Sequence, residues 1–151
     1  MANTYVASNF HLVFSTKHRR ALISPEIESA LYRYMNGIVT GLNSRCLAIN
    51  GTENHTHLLV SLSKKLPLSE LLCQVKASST KWIKAQNNGA YSTFSWQDGY
   101  GAFSVSLSGV PAVVDYIARQ KEHHKRMSFE EEYRTLLKRS GIEFDERYLF
   151  D

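Results

Sequence analysis

Hydrophobic positions along this chain change their period several times, and each change marks an element. Tyr5 to Thr16 mixes alternation with a compact apolar stretch, Phe10-His11-Leu12-Val13-Phe14, and predicts a strand. Ser24-Pro25-Glu26 has the form of a helix start, with a capping serine, proline at the first helical position and an acid in the first turn. Ile27, Leu31, Tyr34, Met35 and Ile38 then recur at helical spacing until the Gly41 region. Arg45 to Gly51 predicts a second strand, which turns into a third at residues 55–62. Pro67 begins a second helix with Leu68, Leu71, Leu72, Val75, Trp82 and Ile83 on one side, and Asn87-Asn88-Gly89 ends it. A glycine-punctuated aromatic loop spans residues 94–101, and Ala102 to Leu107 alternates cleanly as a fourth strand. A third helix follows Ser108. A fourth begins at Ser128, whose spacing to Glu131 is that of a capping box. The tail from Gly141 to Asp151 is acidic and aromatic and is expected to pack back on the body or on a partner.

The order β-α-β-β-α-β followed by two helices predicts an α+β fold with a ferredoxin-like sheet and additional C-terminal helices. Such a sheet leaves one face bare unless something covers it. No internal repeat, low-complexity run or linker divides the 151 residues, so one domain over 1–151 is expected, with a core at 5–107 and the later helices and tail at 108–151. No run approaches the ~18 apolar residues of a membrane span, and Met1-Ala2-Asn3-Thr4 lacks the pattern of an export signal. A cytoplasmic protein with no membrane association is expected. Cys46 and Cys73, the only cysteines, are then expected to be reduced core thiols.

Candidate chemistry concentrates in Asn54-His55-Thr56-His57-Leu58-Leu59-Val60. Alternate side chains of a strand share a face, so His55 and His57 project together, roughly 7 Å apart along the strand. Two imidazoles so placed can grip one divalent cation, while Leu58 and Val60 anchor the strand. The other reading is a half-exposed strand whose histidines are satisfied by neighbours. A cation needs a third ligand, and Glu53 and Asn54 are too local to supply it. Gln120 is a better candidate. In the third helix Val110, Val113, Val114 and Ile117 form an apolar stripe, with Asp115, Arg119, Glu122 and Arg126 roughly opposite in i,i+4 pairs as the solvent face. Tyr116, Gln120 and His123 share the flank between them, and His124 lies closer to the apolar side. An amphipathic helix with a boundary tyrosine would give the same pattern.

Formal net charge is +4, too modest alone to imply nucleic acid. Its distribution is more informative. Lys17, Arg19 and Arg20 follow the first strand, Lys64 and Lys65 follow the histidine strand, and Lys76, Lys81 and Lys84 lie on the second helix. These could form a phosphate-tracking surface, and charge alone fits solvated ends and faces equally well.

The histidine strand resembles the His-hydrophobic-His motif of the HUH nucleases. Tyr116-Ile117-Ala118-Arg119-Gln120, followed by His123-His124, resembles the tyrosine helix of the small single-tyrosine transposases that move insertion sequences as single-stranded DNA. The resemblance extends over nearly the whole chain, through size, element order, the helix around Lys76–Ile83 and the loop Trp96-Gln97-Asp98-Gly99-Tyr100. Thr56 departs from the pattern by replacing the hydrophobic residue between the histidines. It points away from the metal face and suits a strand, so the chemistry is expected to survive with a slightly weaker core behind it.

The resemblance implies a single HUH transposase domain that cleaves and rejoins single-stranded DNA without ATP. His55, His57 and Gln120 would hold Mg²⁺ or Mn²⁺, and Tyr116 would be the catalytic nucleophile, giving a 5′-phosphotyrosine and a free 3′-hydroxyl. His123 and His124 would stand in a second shell. Lys17, Arg19, Arg20, Lys64, Lys65, Lys76, Lys81 and Lys84 would position DNA phosphates. The resemblance also implies a homodimer whose tyrosine acts in trans, and hairpin element ends as DNA partner. Tyr116 needs an activator because its pKa is ordinarily about 10. Tyr133, in the run Phe129, Tyr133, Leu136, Leu137, reads as packing, and Tyr100 could stack on a base. Other classes remain open: a domesticated palindrome-nicking relative, a non-catalytic nucleic-acid-binding module, or a metal-dependent phosphodiesterase using water.

Overall fold

The structure, a computed structural model, describes residues 2–150. Its elements are β1 (Asn9–Ser15), α1 (Pro25–Gly41), β2 (Arg45–Gly51), β3 (His55–Ser61), α2 (Leu68–Lys84), β4 (Gly101–Val105), α3 (Val110–Ala118), α4 (Gln120–His123) and α5 (Phe129–Arg139). The strands form one sheet in the order β2-β3-β1-β4, with every neighbouring pair antiparallel. This is the ferredoxin-like α+β arrangement expected from the pattern, with three helical segments after it.

The alternation of β1 and β3 divides the protein into two layers. Leu12 and Phe14 of β1, with Leu58 and Val60 of β3, face α1 and α2, where Ile27, Leu31, Met35, Leu71, Val75 and Ile83 complete the core. Each fully buried large side chain there contributes about 1.5–3 kcal/mol. Thr56 shares this face; it is buried, and its hydroxyl donates to the Asn50 carbonyl at 3.3 Å, which satisfies the polar atom. The opposite face is not bare. Val13 and Phe103 meet Phe129, Tyr133 and Leu137 of α5, and the tail returns Phe144, Leu149 and Phe150 against this second cluster. Phe150 also lies under the Arg19 guanidinium at 4.4 Å. Tyr133 is therefore a packing residue, and the tail packs on its own chain.

Three expectations are corrected by local geometry. The first strand starts at Asn9, not Tyr5, because residues 2–7 are exposed and pair with nothing in the sheet. The tyrosine helix is not continuous: Arg119 leaves helical geometry (φ −97°, ψ 15°), so Tyr116 and Gln120 lie on successive pieces, α3 and α4. The break separates their surroundings, with Gln120 fully buried and Tyr116 partly so. Cys73 is exposed on α2 and Cys46 half-buried, both free thiols, so Cys73 is no core residue.

The aromatic loop is anchored rather than loose. Gln97 accepts the Ser15 backbone N–H at 2.8 Å through Oε1, and Trp96 Nε1 donates to Ser79 Oγ at 2.9 Å. An antiparallel bridge between Thr16 and Trp96 continues the pairing just past the end of β1. No helix among the described residues is long and apolar enough to cross a membrane.

The β2–β3 turn brings His55 into place through Gly51, where a Cβ would collide with the His55 carbonyl oxygen and meet Thr56 Cα at 2.9 Å. Gly37, in the middle of α1, has open space around its Cα. Gly51→Ala should therefore cost at least about 2 kcal/mol in urea unfolding, while Gly37→Ala should add roughly 0.5–1 kcal/mol. Equal effects from the two substitutions would refute this account of the turn.

Candidate active site

The site is assembled on the face of the sheet turned toward α5. His55 and His57 project from β3, His11 projects from β1, Gln120 and His124 come from α4 and the residue after it, and Glu132 comes from α5. His55, His57 and Gln120 have no exposed surface, and Glu132 and His11 have almost none. Strand alternation thus places both histidines of the motif on one face as expected, and the broken tyrosine helix delivers Gln120 to them.

Glu132 joins these groups. Its Oε1 accepts from His57 Nε2 and from His124 Nε2, each at 3.0 Å, and lies 3.4 Å from His55 Nε2. Its Oε2 accepts from Gln120 Nε2 at 3.0 Å and from the Tyr116 hydroxyl. Gln120 Oε1 accepts in turn from His55 Nε2 at 3.0 Å and His124 Nε2 at 3.1 Å. One carboxylate therefore faces the histidines with one oxygen and the tyrosine with the other. The sequence reading missed it, assigning Glu131 to the cap and passing over its neighbour. Ser128 Oγ does accept the Glu131 N–H. The available signal was that Glu132 falls three residues after Phe129 and four before Leu136, on the apolar stripe of its helix.

The outer polar groups suit the histidines to ligation. His57 Nδ1 is 2.7 Å from His11 Nε2, and His55 Nδ1 is 2.9 Å from Asn54 Oδ1 and 3.0 Å from Thr52 Oγ1. With a cation on their Nε2 atoms the rings would carry the proton on Nδ1, where the Asn54 amide oxygen can accept it from His55 and His11 can accept it from His57. His55, His57, His124 and Glu132 each offer a ligand atom within 4.8 Å of the others. Imidazole nitrogens with a carboxylate and an amide oxygen suit a borderline-to-hard divalent cation. The donor set and its outer partners fit such an ion.

Burial governs the electrostatics. It pulls the His57 pKa down to about 4 against the attraction of Glu132, and with His57 nearby it pulls His11 to about 3. Burial also works against ionisation of Glu132, but hydrogen bonds from His124, His55 and His57 outweigh it and hold the carboxyl well below its usual range. The Tyr116 phenol is pushed up by burial and then by the charge of Glu132. Its ring packs 5.9 Å from those of His11 and His57 and 4.8 Å from His123.

The remaining candidates are scattered. Lys17 and Lys76 line a hollow of about 540 Å³ with Tyr100, and Lys76 donates to the carbonyls of Asp98 and Gly99 at 3.0 and 2.9 Å. Arg19 is paired with Glu130 at 2.7 Å. Lys64 reaches the Thr4 carbonyl at 3.1 Å. Arg20, Lys65, Lys81 and Lys84 are exposed. None of the eight lines the hollow onto which Tyr116 opens.

A family model described as Transposase IS200 like matches residues 4–120. Among solved structures, the chain is similar to a candidate transposase from Deinococcus radiodurans R1, at 19% identity and a TM-score of 0.62, covering 80% of this chain and 96% of that one. It is also similar to a REP-associated tyrosine transposase bound to a REP hairpin, at 15% identity and a TM-score of 0.61, covering 82% of this chain and 73% of that one. No curated protein matches it.

The lowered histidine pKa values set a pH dependence. His11 and His57 are neutral in the folded protein down to about pH 3 and 4, but take protons near pH 6.5 once unfolded. Their contribution is complete above about pH 6.5 and is lost as pH falls toward 4. In metal-chelating buffer the melting temperature should drop by roughly 5 °C or more over that interval. His11→Gln should shallow the decline, and a flat profile would contradict the assignment.

Proposed function

Because the chain belongs to the IS200-like transposase family, we propose that it cleaves and rejoins single-stranded DNA with Tyr116 as nucleophile. The observation that carries this reading is the meeting of Tyr116, Gln120 and the paired histidines on the two oxygens of Glu132. A nucleophile and a cation-binding group are then held against each other within a single chain.

His55, His57, Gln120 and Glu132 would hold a divalent cation, Mg²⁺ or Mn²⁺, with His124 beside them. When bound, the ion supplies Lewis-acid polarisation of the scissile phosphate. Tyr116 forms the new oxygen–phosphorus bond while the 3′-oxygen leaves, so the phosphodiester energy is kept in a 5′-phosphotyrosine for rejoining. Glu132 Oε2, which already accepts the phenol hydrogen bond, is in place to receive the phenol proton, and the departing 3′-oxygen takes up a proton to become a hydroxyl. Gln120 Nε2 orients that same oxygen. His11, Thr52 and Asn54 fix the imidazole rings through their Nδ1 atoms.

The packing of Tyr116 against its own chain supports service in cis. In a homodimer exchanging tyrosines, α3 and α4 would have to give up the fully buried Gln120 contacts. Likeness to a protein bound to a REP hairpin favours hairpin DNA as a partner. It also keeps in view a palindrome-nicking relative, which would differ in its DNA context and not in this chemistry.

The test is a denaturing gel for a covalent protein–DNA adduct, using single strands from the gene's own flanking DNA with Mn²⁺. The wild type should form the adduct, and Tyr116→Phe and His57→Ala should each reduce it at least 100-fold. Free cleaved product persisting in Tyr116→Phe would make the protein a hydrolase, and DNA binding without adduct or cleavage would make it non-catalytic. Calorimetric Mn²⁺ affinity should fall at least tenfold in His57→Ala and in Glu132→Gln.

A further inference from the structure

A hollow of about 800 Å³ opens between α3–α4 and α5, with Tyr116 in its wall. Arg119, Lys125, Arg126 and Arg139 line it, set against Glu122 and the inward-facing Glu132. The charge of Glu132 is already taken up by His57, His124, Gln120 and Tyr116. Lys125, Arg126 and Arg139 have no ion-pair partner among the described residues. Arg119 has only the solvent-exposed Asp115, at 3.3 Å, and such a pair exchanges at little cost. A second, independent feature marks the same wall. His123 Nε2 is buried without a hydrogen-bond partner, and the His123 ring packs 4.8 Å from the Tyr116 ring.

We infer that this groove is the seat of the single-stranded DNA substrate, holding the backbone phosphates beside the scissile bond through Arg119, Lys125, Arg126 and Arg139. The inference rests on the transposase reading given above and adds to it the surface along which the strand lies. The nucleophile opens onto this hollow, so a phosphate reaching Tyr116 must lie in or beside it. Four cations at the rim supply the field such a strand requires. The basic residues singled out by sequence, Lys17 to Lys84, line none of this groove, and two of them belong to a separate hollow around Tyr100.

The experiment is fluorescence anisotropy of a labelled single-stranded 20-mer in EDTA over a series of NaCl concentrations. The variants are Arg126→Ala/Arg139→Ala in the groove and Arg33→Ala/Arg45→Ala on exposed positions away from it. Losing two phosphate contacts should weaken binding at least tenfold at 100 mM NaCl and reduce the salt slope by about 1.4. The distant pair should bind like the wild type, and Arg126→Lys/Arg139→Lys should restore most of the slope. Wild-type affinity and slope in the groove variant, or an equal loss in the distant pair, overturns the inference. The adduct assay keeps the two readings apart. An adduct-forming protein whose groove variant binds normally refutes the groove alone, whereas groove-dependent binding with no adduct refutes the tyrosine chemistry and leaves the DNA seat standing.

Discussion

A carboxylate with almost no exposed surface has to be surrounded by donors, and the second layer of this protein is organised around that requirement. Glu132 takes its donors from three separate pieces of the chain: His57 from β3, Gln120 and His124 from the α4 region, and Tyr116 from α3. Removing any one leaves the buried carboxylate short of a donor, a loss of about 1–3 kcal/mol or more because the group is charged. The apolar contacts of Phe129, Tyr133 and Leu137 bring α5 to the sheet. They do not fix its rotation about its own axis. The Glu132 network does, because only one rotation puts both carboxylate oxygens in reach of their partners.

The same network explains why the histidines can sit wholly inside without a cation. Neutral imidazole donates from only one nitrogen. With that proton on Nε2, His57 donates to Glu132 and His55 to Gln120. Moving the proton to Nδ1 meets His11 on one ring and Asn54 on the other, and turns both Nε2 atoms into acceptors or ligands. Each ring therefore has a partner for its proton on either nitrogen, the Nδ1 form being satisfied only when a cation takes the Nε2 lone pair in place of the Nε2–H hydrogen bond. β3, paired on both sides, holds the rings in place in either form.

Most of the fold was legible because strand and helix periods are local properties. The run Leu12–Phe14, the Ser24-Pro25 helix start and the alternation at Ala102–Val105 each carry their own signal, and the metal-face pairing of His55 and His57 follows from strand geometry alone. What escaped depended on distance. The break at Arg119 has no glycine or proline to announce it, and the residue that follows it, Gln120, is fully buried. Glu132 reads as one more acid in an acidic first turn until β3 and α4 are placed beside it. The basic residues nearest the tyrosine were read as a solvated face, because Arg119 and Arg126 do lie opposite the apolar stripe. Exposure was correctly anticipated, but which hollow they border is a tertiary fact.

Tyr116 sits at the boundary between the cation-binding cluster and the groove, and its position sets a requirement on the proposed reaction. Burial and the charge of Glu132 both hold the phenol in its protonated form. In the isolated protein Tyr116, the proposed nucleophile, is thus at rest, hydrogen-bonded to the group best placed to take its proton. Positive charge is needed on the other side to shift that balance. A cation among the histidines would draw on Oε1 of the same carboxylate, while Arg139 and its neighbours face the phenol from the groove. Either alone offsets part of the barrier. Together with a phosphate whose own charge the groove would neutralise, they would make ionisation of Tyr116 coincide with the arrival of its proposed target.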